Sequence, residues 1–497
     1  MPALFVAIPL GVAFLTSLVG KYTKTLPDIL AQAAGIVNVI LSCTLTVLLS
    51  RVPSGVIVYK VGGWDAPFGI NLVVDGLTVF MLVTINLVAC IIALFCINYM
   101  EKYTSKWKFY TLFLLMLAGM NGVVLSGDIF NLFVFLEIAS VASFGLVAYG
   151  VEAEELEATF KYIVMSGVAS LFILLGIAFL YSYTSTLTMA DIAASLQGKG
   201  VNNVVIFVSV LFIMGFGLKA AIVPFHSWLP DAHPSAPAPV SALLSGLLIK
   251  TLGIYALLRI FYNILGLDQM LLNIFMFLGG LSIIIGALLA LGQRDFKRLL
   301  AYSSINQIGY ILLAIGLHSP LGLLGGLFHL FNHSFFKSLL FLNSGAVEYA
   351  TGTRDLEEMG GLRQRMPVTA NTSLIGSMAI SGIPPFNGFF SKIIIIVACI
   401  QEGHIGYGLV AVAGSILTLA YFAKLQKYAF LGKLKEKYSQ LKEVPFFMQC
   451  SMLILACICL MGGLVMIPAI KNYFLQPAVD ALMRGLDYKN LILAVVP

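Results

Sequence analysis

The sequence predicts an all-α polytopic membrane protein of about fourteen transmembrane helices, with two inverted five-helix repeats that each contain a broken helix. Three observations carry this expectation. Hydrophobic residues make up 60% of the 497 positions and Asp, Glu, Lys and Arg only 10%, against roughly 25% charged residues in an ordinary soluble domain. The apolar residues fall into segments of about 20, the length that crosses a bilayer as a helix. The basic residues collect in alternate connections, as they do in proteins oriented by a cytoplasmic excess of Lys and Arg.

In chain order the expected spans are 2–19, 30–50, 74–97, 109–126, 129–149, 159–182, 203–224, 238–260, 269–292, 299–317, 321–346, 369–398, 406–429 and 446–468. The first lacks a basic leader and a small-residue cleavage site, so it reads as a retained span rather than a removed signal. Helices are favoured throughout because these segments lack the alternation of a barrel, and open strands would leave backbone groups unsatisfied in lipid. The stretch 52–75, with its Gly, Pro and β-branched residues, reads instead as a hairpin on the membrane surface.

With this count, sixteen basic residues, Lys21 to Lys442, fall on one side and seven on the other: Arg51, Lys60, Lys199, Arg259, Lys471, Arg484 and Lys489. The richer side is expected to be cytoplasmic, which places both termini on the extracytoplasmic side. A prokaryotic inner or plasma membrane is the expected location. The net charge of +6 is assigned to loops and requires no nucleic acid.

Five charged groups remain deep in apolar runs: Glu137, Lys219, Lys250, Lys337 and Lys392. Such groups are costly at membrane depth and mark ion pathways. Two also sit where a continuous helix is hard to maintain. Gly215, Gly217 and Pro224 flank Lys219, while Gly382, Pro384, Pro385 and Gly388 precede Lys392. Prolines remove helix donors, and broken helices in corresponding spans indicate repeats around a transport site. A five-span offset then gives an N-terminal unit 1–108, a first repeat 109–260 (spans four to eight), a second repeat 269–430 (spans nine to thirteen) and a C-terminal helix and tail 446–497. His329, His333 and Lys337 are spaced i, i+4 and i+8, so they share one face of span eleven.

Each candidate has a structural alternative. Glu137 with Lys219 could be an ion pair holding helices together, and Lys250 or Lys392 could bind carbonyls at a helix break. His226, Asp231 and His233 around the Pro-rich turn, and Asp128 before span five, read as ion-access or structural residues, Asp128 equally as a helix cap. Arg294, Asp295, Lys297 and Arg298 read as a cytoplasmic anchor. The seven cysteines form no ligand-like cluster, so no metal, iron–sulfur cluster or disulfide is expected. No GxGxxG follows a strand and no soluble domain is large enough for a nucleotide, so no cofactor is expected and electron-transfer chemistry is disfavoured for this chain.

Longer motifs carry a family resemblance. HSWLPDAHPSAPAPVSALLSGLLIK, QRDFKRLLAYSSINQIGY, HLFNHSFFKSLLF and SGIPPFNGFFSK resemble the antiporter-like subunits shared by respiratory complex I, Mrp Na⁺/H⁺ antiporters and membrane-bound hydrogenases. The likeness spans residues 70–430, and GDIFNLFVFLEIASVASFGLVAYG with the chain length is most similar to the D-type component of Mrp antiporters. The resemblance implies that Glu137 is the fifth-helix glutamate paired with the seventh-helix Lys219, and that Lys250 is the next proton station. It implies that His329, His333 and Lys337 bridge the halves and that Lys392 gates the far side. Other membrane subunits, protons, the lipid bilayer and, through partners, Na⁺ are the implied partners. The alternative reading is a mainly structural or quinone-proximal subunit of an NADH/quinone oxidoreductase or hydrogenase complex.

Overall fold

The computed structural model describes residues 1–64, 69–103, 105–199 and 202–495. The tip of the hairpin, 65–68, and the side chain of Lys199 lie outside the described residues. The chain begins with α1 (Leu4–Val19) and α2 (Leu26–Leu49). A two-stranded antiparallel hairpin follows, β1 (Ile57–Lys60) and β2 (Asn71–Val74), with Ile57 opposite Val74 and Lys60 opposite Asn71. Asp75 then caps α3 (Gly76–Tyr99), its carboxylate accepting the Thr78 amide at 2.9 Å.

Three helices come next: α4 (Lys106–Leu125), α5 (Ile129–Val147) and α6 (Ala153–Thr184). Glu152 and Glu155 form a capping box that starts α6, a reciprocal arrangement that satisfies two otherwise orphaned amides. The short α7 (Met189–Lys199) leads into α8 (Asn203–Lys219), α9 (Leu229–Ser235) and α10 (Ala238–Leu265). Beyond these lie α11 (Gln269–Gly292), α12 (Phe296–Gly316), α13 (Pro320–Thr351), α14 (Pro367–Ser381), α15 (Asn387–Gln401), α16 (Ile405–Phe430) and α17 (Phe446–Met461). Three short helices, α18 (Pro468–Phe474), α19 (Gln476–Met483) and α20 (Tyr488–Val495), end the chain.

Among the described residues, ten helices are long and apolar enough to cross a membrane, and α1, α8 and α15 are shorter apolar helices. Burial divides them. The apolar stretch of α10 is wholly enclosed and that of α12 nearly so, whereas α2, α6 and α16 leave most of theirs uncovered. Leu171 on α6 and Ile416 on α16 are 68% and 63% exposed, the pattern of a bundle whose rim faces an apolar medium and whose polar residues turn inward.

The two irregular segments are both breaks. Helix α8 stops at Lys219, Ala221 takes a left-handed φ of 55°, and helix resumes only at Leu229. Helix α14 stops at Ser381, where Gly382 caps it at φ 80°, and α15 begins at Asn387. Asn332 of α13 and Asn387 hold the second break by two reciprocal 3.0 Å bonds, one Asn332 to the Asn387 carbonyl and one Asn387 to the Asn332 side chain. A Cβ at Gly388 would overlap the Ala379 carbonyl. Gly388→Ala is therefore expected to destabilise the break by about 1–3 kcal/mol through overpacking, read as a lower melting temperature of the purified protein.

The assignment of the net charge to loops needs two corrections. Arg259 is 1% exposed and makes a bidentate pair with Asp75 at 2.7 and 2.9 Å. Lys297 is 2% exposed and pairs with Glu348 at 2.7 Å. Both are buried because their acidic partners, distant in sequence, are brought to them by the packing of α3 on α10 and of α13 on α12. Lys297 is thus no simple anchor, whereas Arg298 and Arg294 keep exposed pairs with Asp231 and Glu357.

Candidate functional site

The first cluster forms where α5, α6 and the end of α8 meet. Lys219, the last residue of α8, is almost fully buried and donates to Ser140 Oγ at 2.9 Å and Ser166 Oγ at 2.6 Å. Its Nζ lies 3.5 Å from Glu137 Oε1, which in turn accepts the Ser170 hydroxyl at 2.5 Å. The break after Lys219 is what frees this side chain to reach two neighbouring helices. The contact with Glu137 is longer than those to the serines, so the ammonium is held by hydroxyls and only loosely by the carboxylate. Glu137 keeps 32% of its side chain accessible, enough to let it turn away. A narrow cleft with room for about one water is lined by Lys219, Ser166, Tyr162, Trp228, Leu248 and Leu252. It therefore runs from Lys219 to the face of α10.

Lys250 stands at the centre of α10, where the π-helical stretch Leu244–Leu248 is followed by a second, Lys250–Tyr255, of which it is the first residue. Its Nζ donates to the carbonyls of Ser245 and Gly246, both at 2.7 Å. π-Turns displace carbonyls from their usual partners and recur at functional sites. Here the displaced oxygens hold a buried cation that forms no ion pair among the described residues.

On α13 the predicted face is formed. Lys337 donates to the Leu300 carbonyl at 2.5 Å and to the Ser303 hydroxyl. His329 bonds Ser391 Oγ at 3.0 Å through Nδ1 and Gln307 Oε1 at 3.1 Å through Nε2. His333 is fully buried, and neither ring nitrogen has a hydrogen-bond partner among the described residues. Lys392 is 3% exposed, and its Nζ lies 4.6 Å from the centre of the Tyr310 ring, with no hydrogen-bond partner among the described residues. Its stem passes Gly382 at the break, where an added Cβ would come within 3.0 Å of Lys392 Cδ. Gly382→Ala, strained at its positive φ and crowding Lys392, is expected to cost about 1–3 kcal/mol, measurable by thermal unfolding.

The remaining candidates separate. Asp128 caps α5, accepting the Asn131 amide at 2.8 Å. Asp231 bridges Lys161 at 3.2 Å and Arg298 at 3.0 Å. His226 is partly exposed. His233 is fully buried, stacks on Phe341 with centroids 4.7 Å apart, and has neither nitrogen bonded among the described residues. Among the described residues no group of three or more His, Cys, Asp or Glu could hold a metal ion.

Sequence reasoning missed the hydroxyl and amide partners: Ser140, Ser166 and Ser170 around Lys219, Ser303 at Lys337, and Gln307 and Ser391 at His329. A usable signal existed for two of them, since Ser140 lies one helical turn after Glu137, and Ser170 one turn after Ser166. Arg259 with Asp75 was also missed, because its two halves lie 184 residues apart.

Buried lysines at helix breaks, with histidines between them in a membrane-type bundle, define the class of protein, and similarity to known proteins agrees. Residues 126–418 match the family described as NADH:quinone oxidoreductase/Mrp antiporter, transmembrane, and residues 60–110 match the complex I chain 5 N-terminus. The chain belongs to the NADH:quinone oxidoreductase/Mrp antiporter transmembrane family. It is 37% identical over 391 residues to the D-type component of the Na⁺/H⁺ antiporter of Alkalihalophilus pseudofirmus, covering 78% of each chain. It is 34% identical over 441 residues to the N-type component of the NADH-quinone oxidoreductase of Desulforudis audaxviator, covering 88% of this chain and 87% of that one. In structure it superposes on a chain of the Mrp complex from Dietzia sp. DQ12-45-1b with a TM-score of 0.90 at 29% identity, over 100% of this chain and 99% of that one.

Proposed function

We propose that this chain is the D-type, proton-translocating component of a multi-subunit Mrp-like cation/proton antiporter, and that protons move along Glu137, Lys219, Lys250, the α13 face of His329, His333 and Lys337, and Lys392. The observation that carries the reading is Lys219, a buried cation at a helix break held by two serines and only loosely by Glu137. A cation kept only for stability would have its carboxylate at contact distance, as Arg259 has Asp75. Glu137 and Lys219 can therefore act as a switch. With the carboxylate near, the ammonium is stabilised, and with it withdrawn the proton leaves through the cleft towards α10. Lys250, held by carbonyls, first passes its own proton to the α13 face and then, as the neutral amine, receives this one. Lys392, lying over an aromatic ring, completes the row.

In this reading the thirteen apolar helices and α13 make fourteen spans, with α14 and α15 the halves of one of them and α13 the span that the others enclose. The repeats are 109–260 and 269–430, with 1–108 and 446–497 flanking them, and the broken helices are their corresponding elements. Both termini lie on the extracytoplasmic side of a prokaryotic membrane. The Na⁺/H⁺ antiporter relatives support a partnership with other membrane subunits that handle Na⁺.

The test is Na⁺-dependent dissipation of a pH gradient in everted vesicles carrying the assembled complex. Glu137→Gln is expected to lower the rate about 100-fold with the complex still assembled. Unchanged transport would overturn the switch.

A further inference from the structure

His329 lies at the end of a chain of hydrogen bonds whose polarity is set by a backbone carbonyl. Asn306 Nδ2 donates to the Ile283 carbonyl at 2.7 Å. A carbonyl only accepts, so the Asn306 amide cannot be turned round without facing oxygen to oxygen. Its Oδ1 therefore points the other way and accepts from Gln307 Nε2. That fixes the Gln307 amide in turn, leaving Oε1 to face His329 Nε2 at 3.1 Å. Two acceptors cannot bond, so Nε2 must carry hydrogen. The Nδ1 lone pair of the neutral ring is then left for the Ser391 hydroxyl at 3.0 Å.

The neighbouring ring cannot substitute for this contact. His329 and His333 are stacked, with centroids 6.3 Å apart and planes within 6°. No hydrogen bond joins them, because neither His333 ring nitrogen has a partner among the described residues. When a proton arrives at Nδ1, the ring becomes a donor on both nitrogens, and the Ser391 hydroxyl must turn from donor to acceptor. The Gly388 carbonyl, 3.2 Å from Ser391 Oγ, stands ready to take the hydroxyl hydrogen. Ser391 is thus bistable, and it directly precedes Lys392 in the broken helix.

We infer that Gln307 holds neutral His329 as its Nε2–H tautomer, so that this histidine exchanges its proton only at Nδ1, through the Ser391 hydroxyl and on the Lys392 side. The histidine face of α13 is then divided, with His329 serving Lys392. Gln307 is a positioning residue and Ser391 the proton-passing one. The inference rests on the transport reading above, but its test separates the two.

The experiment is nitrogen-15 NMR of histidine-labelled full-length chain in membranes carrying the assembled complex, at a pH where the ring is neutral. The His329 signals are assigned by their loss in His329→Gln. The wild type is expected to show protonated Nε2 and unprotonated Nδ1, and Gln307→Met a mixture of both tautomers. Ser391→Ala is expected to keep the tautomer but to lower transport about 100-fold, and Ser391→Thr to restore it. An Nδ1–H tautomer in the wild type, or full transport by Ser391→Ala, overturns the inference while leaving the wider pathway standing. Full transport by His329→Gln removes His329 from the pathway altogether.

Discussion

Lys219→Ala is expected to abolish proton movement while leaving a folded, assembled chain. The expectation comes from what the residue contacts. The Lys219 ammonium is held by Ser140 and Ser166, and its loss strands neither: Ser140 also donates to the Leu136 carbonyl at 2.9 Å, and Ser166 lines the water-sized cleft. Truncation therefore removes a buried charge without orphaning a partner of opposite sign, because Glu137 stays hydrogen-bonded to Ser170 and partly accessible. Removing an essential proton carrier costs about 100-fold or more in rate, which a vesicle assay reads as no transport. Lys219→Arg is expected to fail as well, since a guanidinium does not give up its proton in a protein. A purely structural pair would accept that substitution far better, which makes the arginine variant the more discriminating of the two.

Arg259→Met, by contrast, is expected to destabilise the whole fold without touching the proton path. Arg259 and Asp75 are both about 1% exposed, and the guanidinium also contacts Asn263, Thr78 and the Tyr255 hydroxyl while lying 4.9 Å from the Tyr488 ring centre. Breaking such a pair from one side leaves a buried charge uncompensated and costs about 3–5 kcal/mol. Asp75→Leu should be equally damaging, because it also removes the cap of α3. The double variant Arg259→Met with Asp75→Leu is expected to recover part of the loss. Thermal unfolding of the purified protein checks this: if either single variant melts with the wild type, the pair holds nothing together.

The contrast between these two pairs also shows what can be read from the chain and what cannot. Apolar length and charge depletion made the helices visible. Prolines and glycines at 215–224 and 382–388 marked both breaks, because those residues act through their own backbone and need no neighbour. Glu137 and Lys219 stood out for the same reason: a lone charge in an apolar run is anomalous without reference to any partner. Arg259 did not stand out, since it falls at the end of an apolar run and looks like an ordinary boundary residue until Asp75, 184 positions earlier, is packed against it. Lys297 misleads in the same way, as one member of a basic run whose other members are exposed. The π-helical turns of α10 leave no mark in composition. Polarity within the histidine face is also hidden. The i, i+4, i+8 spacing aligns His329, His333 and Lys337, but only the Asn306–Gln307 chain distinguishes one histidine from the other.

If the separate clusters form one path, Lys250 is its middle member, linking the Lys219 cleft to the α13 face. Lys250 is held by backbone carbonyls, so Lys250→Met replaces the charge with a side chain of similar bulk and strands no carboxylate. The direct measurement is Na⁺-driven proton movement in everted vesicles carrying Lys250→Met, with assembly of the complex verified in the same membranes. The expected result is an assembled complex whose transport falls about 100-fold. An assembled complex that moves protons at the wild-type rate would contradict it.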